Sequence, residues 1–170
     1  IKQDLAWHKG AYPLTQQPQG LTRALAYVIQ DALNPELFNK TYPTPALDKA
    51  IHQDIQAELP AWNQLISTAK QRSALMDANS LLYLVRASQL WRAGMGDNWQ
   101  QALSRVKAKT LFLPASGDLL LPAALSQHSA KVMTAAGNSP QYAEIPGSFG
   151  HLDGVVNITA VAEQIRSFLN

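Results

Sequence analysis

Two stretches decide how this chain reads: Thr110-Leu-Phe-Leu-Pro-Ala-Ser-Gly-Asp118-Leu-Leu-Leu-Pro122 and Tyr142-Ala-Glu-Ile-Pro-Gly-Ser-Phe-Gly-His151. Each opens as a buried strand; the first, TLFLPA, is a short apolar run bounded by turn residues and is expected in a sheet centre, covered on both faces. Each closes in a loop that holds one ionisable side chain, Asp118 in the first and His151 in the second. Between them Pro122 opens a helix that runs to about residue 136, where Gly137-Asn-Ser-Pro140 breaks it. Residues 158–169 (ITAVAEQIRSFL) then carry amphipathic helical spacing. Residues 109–170 thus read β-α-β-α, the signature of a parallel sheet with right-handed crossovers.

Upstream the pattern is helical only. Residues 1–19 are rich in Gly, Pro and Gln and read as a loop-like lead-in. Residues 20–33 place Leu21, Leu25, Val28, Ile29 and Ala32 at helical spacing, and Asn34-Pro35 closes that helix. A more polar helix is expected over 46–59, with Leu47, Ile51, Ile55 and Leu59 on one stripe. Pro60 ends it and can sit in the first turn of the next helix, over 61–75. Asp77 suits the N-cap of a helix running to Trp91, which Gly94 and Gly96 stop; a short helical turn follows over 98–106. Two parallel strands make no stable open sheet alone. The expected organisation is therefore α/β: a lead-in loop (1–19), a helical cap (20–106), and the C-terminal part of a larger core (107–170).

The bulk numbers fit this. With 170 residues, 46% hydrophobic and only 15% charged, the chain can bury a core, and its low charge hints at surface covered by something else. A net charge of +2, with Lys and Arg scattered, argues against a nucleic-acid partner. Zero cysteines exclude disulfides and thiolate metal sites. No apolar run reaches membrane-spanning length. The expected compartment is the cytoplasm, or the periplasm if a signal segment lies upstream of Ile1.

The chemistry rests on Asp118 and His151. A turn Asp and a loop His are each ordinary when taken alone. Together they sit in consecutive strand-end loops, which places them side by side on one sheet edge, as a general base and its orienting acid require. Asp before His is also the back half of the chain order Ser…Asp…His of α/β-hydrolases. Ser148 does not supply the front half: a nucleophile elbow needs Gly two residues before the Ser, and Pro146 stands there. His151 and Asp153 could be two metal ligands, but His128 lies on a predicted helix with no acidic neighbour at i+3 or i+4, and His8 and His52 are remote, so no metal is expected. Trp7, Trp62, Trp91 and Trp99 read as helix packing. Tyr83 and Arg86 could reach a pocket.

Four segments resemble the homoserine O-acetyltransferase family of α/β-hydrolases: Asp4-Leu-Ala-Trp7-x-x-Gly10-x-Tyr12, Pro18-x-Gly20-Leu21-x-x-Ala24, the helix Met76-Asp-Ala-Asn79-Ser80-Leu-Leu-Tyr83-Leu-Val-Arg86-Ala87, and the acid and base loops at 118–122 and 150–151. The resemblance spans nearly the whole chain and implies the C-terminal half of that fold. It implies that a Ser attacks an acyl-CoA thioester, with His151 as base and Asp118 as orienting acid, and that the acyl group then passes to an alcohol. The Ser and oxyanion hole would precede Ile1. The family's Asp after the catalytic His, which contacts the substrate amine, is Leu152 here, with Asp153 one residue on. Its Arg for the substrate carboxylate is Leu25, with Arg23 two residues away. Asp153, Arg23, Tyr83 and Arg86 are therefore the candidate substrate contacts.

Three functions follow as expectations: an acyltransferase completed by an N-terminal half that carries the nucleophile, an esterase of the same fold, or a non-catalytic binding domain. The expected partners are that half, a small acyl donor and an alcohol acceptor, with neither nucleic acid nor membrane; cap helices commonly mediate dimers, which adds a homodimer. No bound cofactor is expected, and acyl-CoA would enter as co-substrate.

Overall fold

The computed structural model describes residues 1–44, 46, 49–96 and 98–170. Packing divides them into two compact units, residues 1–31 with 35–89, and residues 32–34 with 90–170.

The first unit is helical. Its helices are α1 (Gln19–Ala32), whose last residue belongs to the second unit, α2 (Pro35–Thr41), α3 (Lys49–Gln53), α4 (Pro60–Ser73) and α5 (Ala78–Leu90), whose last residue does likewise. On α1 the buried row is Leu21, Leu25, Ala26 and Ile29, whereas Val28 lies outside it and is exposed. Residues four apart stack on one helix face, so 21, 25 and 29 form the centre of the row. α4 begins on Pro60 and buries Leu65, Ala69 and Ser73 at the same spacing. Thr22 Oγ1 meets Ser73 Oγ at 3.0 Å and the rings of Tyr27 and Trp62 stand 6.3 Å apart, so α1 and α4 touch. Burying a side chain such as Leu21 or Leu65 contributes about 1.5–3 kcal/mol.

The expected helix over 46–59 shrinks to α3. Leu47 lies outside the described residues, and Ile55 and Leu59 are exposed. Asp54 accepts a hydrogen bond from the Gln56 N–H at 2.8 Å, a local turn that competes with helix continuation.

The lead-in is not a free loop. Leu5–Gly10 is a 3₁₀ segment kinked at His8 and Lys9, both with positive φ, and it is tied to the start of α5. Trp7 Nε1 donates to Asn79 Oδ1 at 2.8 Å, and Asn79 Nδ2 donates to the Gly10 carbonyl at 2.9 Å. Asp77 caps α5 as its sequence position suggests, accepting from the Ser80 N–H at 2.7 Å. Its other oxygen accepts from the Tyr12 hydroxyl at 2.5 Å.

The second unit holds α6 (Trp99–Ser104), β1 (Leu111–Phe112), α7 (Ala123–Ala135), β2 (Gln141–Tyr142), α8 (Asp153–Val156) and α9 (Ala162–Leu169). The strands are parallel, with Leu111 opposite Gln141 and Phe112 opposite Tyr142. The pairing continues past the regular strands: Ile145 N–H donates to the Pro114 carbonyl at 2.9 Å, and Ser116 N–H to the Ile145 carbonyl at 3.0 Å. β1 is only half-buried, against the expectation of cover on both faces; among the described residues its sheet has two strands. α7 packs on both strands and on α6, burying Ala130 and Met133. It ends in a Schellman-type turn, with Gly137 at φ +85° and Asn138 N–H reaching the Met133 carbonyl at 3.0 Å. Among the described residues no helix is long and apolar enough to cross a membrane.

Candidate active site

The paired segments 110–116 and 141–145 end together, at the bridge between Ala115 and Ile145. Both bridge residues are buried, so the loops that leave them start from a fixed point. From Ala115 the chain turns tightly, with Asp118 N–H donating to the Ala115 carbonyl at 3.3 Å. The Asp118 side chain then does two jobs that compete as readings of the sequence. Oδ1 accepts the backbone N–H groups of Leu120 and Leu121, both at 2.8 Å, and so shapes the turn into α7. Oδ2 lies 2.8 Å from His151 Nδ1.

Asp118 is 7% exposed. Burial alone would raise its pKa; the Leu121 N–H, the bond and charge of His151, and the Leu120 N–H outweigh it and hold the carboxyl below its ordinary value of 3.8. The anion therefore persists and His151 Nδ1–H donates to it. In the neutral imidazole that leaves Nε2 as the acceptor, with no hydrogen bond to any described residue. The imidazole side chain is 38% exposed, so a reactant can reach it. A cavity of about 330 Å³ lies over the pair, lined by Phe112, Pro114, Leu121 and Ser126 among others.

Asp153 lies elsewhere in the same loop system and is 0% exposed. Oδ2 accepts the Phe149 N–H at 3.0 Å and Oδ1 accepts Asn157 Nδ2 at 2.5 Å. It has no open face to offer a ligand. Tyr83 and Arg86, both exposed, line a cavity of about 600 Å³ in the first unit with Lys2, Trp7, Lys9 and Asn79. Arg23 borders another cavity, of about 270 Å³, with Thr22, Glu58 and Trp62. The structure thus joins Asp118 to His151, and Tyr83 to Arg86, and gives Arg23 different neighbours. Ser148 is exposed and forms no hydrogen bond with His151. Among the described residues no three His, Cys, Asp or Glu side chains group as metal ligands. The His128 ring lies tilted against Trp99, ring centroids 5.4 Å apart. Trp99 packs as expected, while Trp91 is exposed.

The pattern-based reading misses the Leu120 and Leu121 amides and Asn157. Backbone donors leave no mark in a sequence. Asn157, four residues after Asp153 and thus one helical turn on, is the one signal that spacing could have revealed.

No family model matches the chain. The crystal structure of esterase E22 superposes with a TM-score of 0.92 at 42% identity, covering all of this chain and 47% of that one. The crystal structure of homoserine O-acetyltransferase from Bacillus anthracis superposes with a TM-score of 0.92 at 26% identity, covering all of this chain and 46% of that one. The homoserine O-acetyltransferase of Symbiobacterium thermophilum is 29% identical over 120 residues, 70% of this chain and 31% of that protein. The chain spans about a third to a half of the length of these relatives.

Proposed function

We propose that this chain, which belongs to the homoserine O-acetyltransferase family of α/β-hydrolases as a divergent member and forms a C-terminal portion of that fold, supplies the acid and base of a Ser–His–Asp acyl-transfer centre. The nucleophilic Ser lies on an N-terminal segment outside it. In this reading residues 20–106 are the cap and residues 107–170 the end of the core.

The observation that carries the proposal is the 2.8 Å contact between His151 Nδ1 and Asp118 Oδ2, with Asp118 Oδ1 already held by two amides. The ring cannot turn without losing that bond, so Nε2 keeps one direction. The base takes the Ser hydroxyl proton at Nε2 as Ser Oγ bonds to the acyl carbonyl, and Asp118 stabilises the imidazolium without itself taking a proton. The proton passes to the leaving thiol or alcohol as its bond to the acyl carbon breaks. The acceptor then repeats the cycle: its O–H proton goes to Nε2, its oxygen bonds to the acyl carbon, and the Ser leaves with the proton. Acyl-CoA is the donor the family implies.

A second reading, in which water is the acceptor, is favoured by specific positions. Leu25 is 5% exposed within the α1 core row, where the family resemblance calls for an Arg. Leu152 stands where it calls for an Asp. Neither side chain can pair with the carboxylate or the amine of an amino-acid alcohol, and a site without such partners discriminates poorly for it. The 42% identity to an esterase points the same way.

A fluorophosphonate probe on the complete protein, with the labelled peptide mapped by mass spectrometry, tests the shared core of both readings. A labelled Ser upstream of Ile1 supports them; absence of any label sinks them and leaves the binding-domain alternative. Ester and thioester turnover with and without added alcohol then separates transfer from hydrolysis. If Leu152 decides the acceptor, Leu152→Asp raises the ratio of transfer to hydrolysis for an amino-alcohol acceptor, and an unchanged ratio removes Leu152 from the account.

A further inference from the structure

We infer that Asp153 is a positioning residue: its buried carboxylate clamps the loop that holds His151 against Asp118. The inference rests on the reading of His151 as the base.

A fully buried carboxylate without a cation is costly, and among the described residues no cation pairs with Asp153. What it holds instead is the base loop. Its bond to the Phe149 N–H closes a ring of backbone over residues 149–153, with His151 at the centre. Its second oxygen is tied to Asn157, just past α8, so the ring is anchored to the element that follows. Two donors converge on two acceptor oxygens, a demand that Asp meets and Asn does not.

Two glycines show how closely this loop is seated. At Gly147 the backbone lies flush on the Asp153 carboxylate, and any Cβ would collide with it. Gly147 does not have positive φ, so the reason for glycine there is space. Gly150 has φ +67°, and a Cβ would come within 2.7 Å of the Asn34 nitrogen and 2.8 Å of the Ala32 carbonyl oxygen. The loop is thus held from one side by Asp153 and from the other by the backbone of residues 32–34. His151 follows Gly150 directly, so with its backbone seated the imidazole has little freedom to leave Asp118. A carboxylate enclosed in this way cannot meet a substrate amine.

The test uses the complete enzyme and a chromogenic ester. In Asp153→Asn an amide donor replaces one acceptor and faces a donor. The expected result is a fall in kcat of roughly 10- to 100-fold, the cost of a base misplaced by about 1 Å, with KM nearly unchanged. The far-downfield proton NMR signal of the imidazole N–H bonded to Asp118 broadens or disappears with it. Adding Asn157→Asp to the same variant restores a matched set of donors and acceptors, and most of the kcat and the signal return. A rise in KM at constant kcat would make Asp153 a substrate contact and overturn the inference. So would normal kcat with the signal intact, or a folded double variant with no recovery. If Asp153→Asn fails to fold, Asn157→Ala reads the same clamp from its other end: several-fold lower kcat is expected, and unchanged kcat and signal overturn it. Asp118→Asn and His151→Ala run alongside. If they keep turnover, the base assignment falls; if they lose it while Asp153→Asn keeps it, only the clamp falls.

Discussion

The start of α5 and the loop that follows β1 each carry an aspartate held below its ordinary pKa by a web of hydrogen bonds, yet the two webs end differently. At α5 the web is closed. Asp77 is lowered first by the Tyr12 hydroxyl and then by the Ser80 N–H. Tyr12 in turn accepts from the Asn79 N–H at 3.0 Å, and burial, then Asp77, push its own pKa up. Each donor finds an acceptor inside the network. At Asp118 the web is open: it passes through Nδ1 of His151 and ends on Nε2, a nitrogen bonded to nothing among the described residues on a ring that solvent reaches. A depressed carboxylate marks order in both places. Only the open end can exchange a proton with something that arrives.

The strongest attempt to break this contrast is at the open end. His151→Ala or Asp118→Asn in the complete enzyme should lower kcat by about 10⁴-fold while circular dichroism stays unchanged. Near-normal turnover in either would mean that the open web is as structural as the closed one. At the closed end Tyr12→Phe should do the reverse, lowering Tm by a few degrees while kcat holds. A large kcat loss with little change in Tm would show that the lead-in reaches the chemistry.

The smallest effect is on acid stability, and there the two webs should agree. Both carboxyls have folded pKa values below 3.8, so each adds stability that is complete above that value. Each contribution fades as pH falls through the folded pKa, because the unfolded chain then binds the proton first. Asp77→Asn and Asp118→Asn should each flatten the fall of Tm between about pH 5 and pH 2. If only one does so, the webs differ in strength as well as in ending.

How much of this was legible beforehand varies with the range of the forces involved. Asp77 as a cap was readable because capping is a matter of three residues. The helix over 46–59 is shorter than its spacing suggests, since Ile55 and Leu59 are left exposed and Asp54 offers the backbone a competing turn. The lead-in reads as a loop in sequence because the belt of Trp7, Gly10 and Tyr12 bonded to Asp77 and Asn79 joins residues more than sixty positions apart.

The sequence by itself determined the β-α-β-α order of residues 109–170, the parallel pairing that order demands, and the placement of Asp118 and His151 in adjacent strand-end loops. Those follow from period, punctuation and chain handedness, which are local. Only the tertiary structure decided that Asp118 spends one oxygen on two amides and the other on His151, that Asp153 is enclosed, and that Gly150 rests on residues 32–34. Those outcomes depend on which backbone groups arrive within 3 Å of a carboxylate or a missing Cβ. No residue type records that distance; it is set by how distant segments pack.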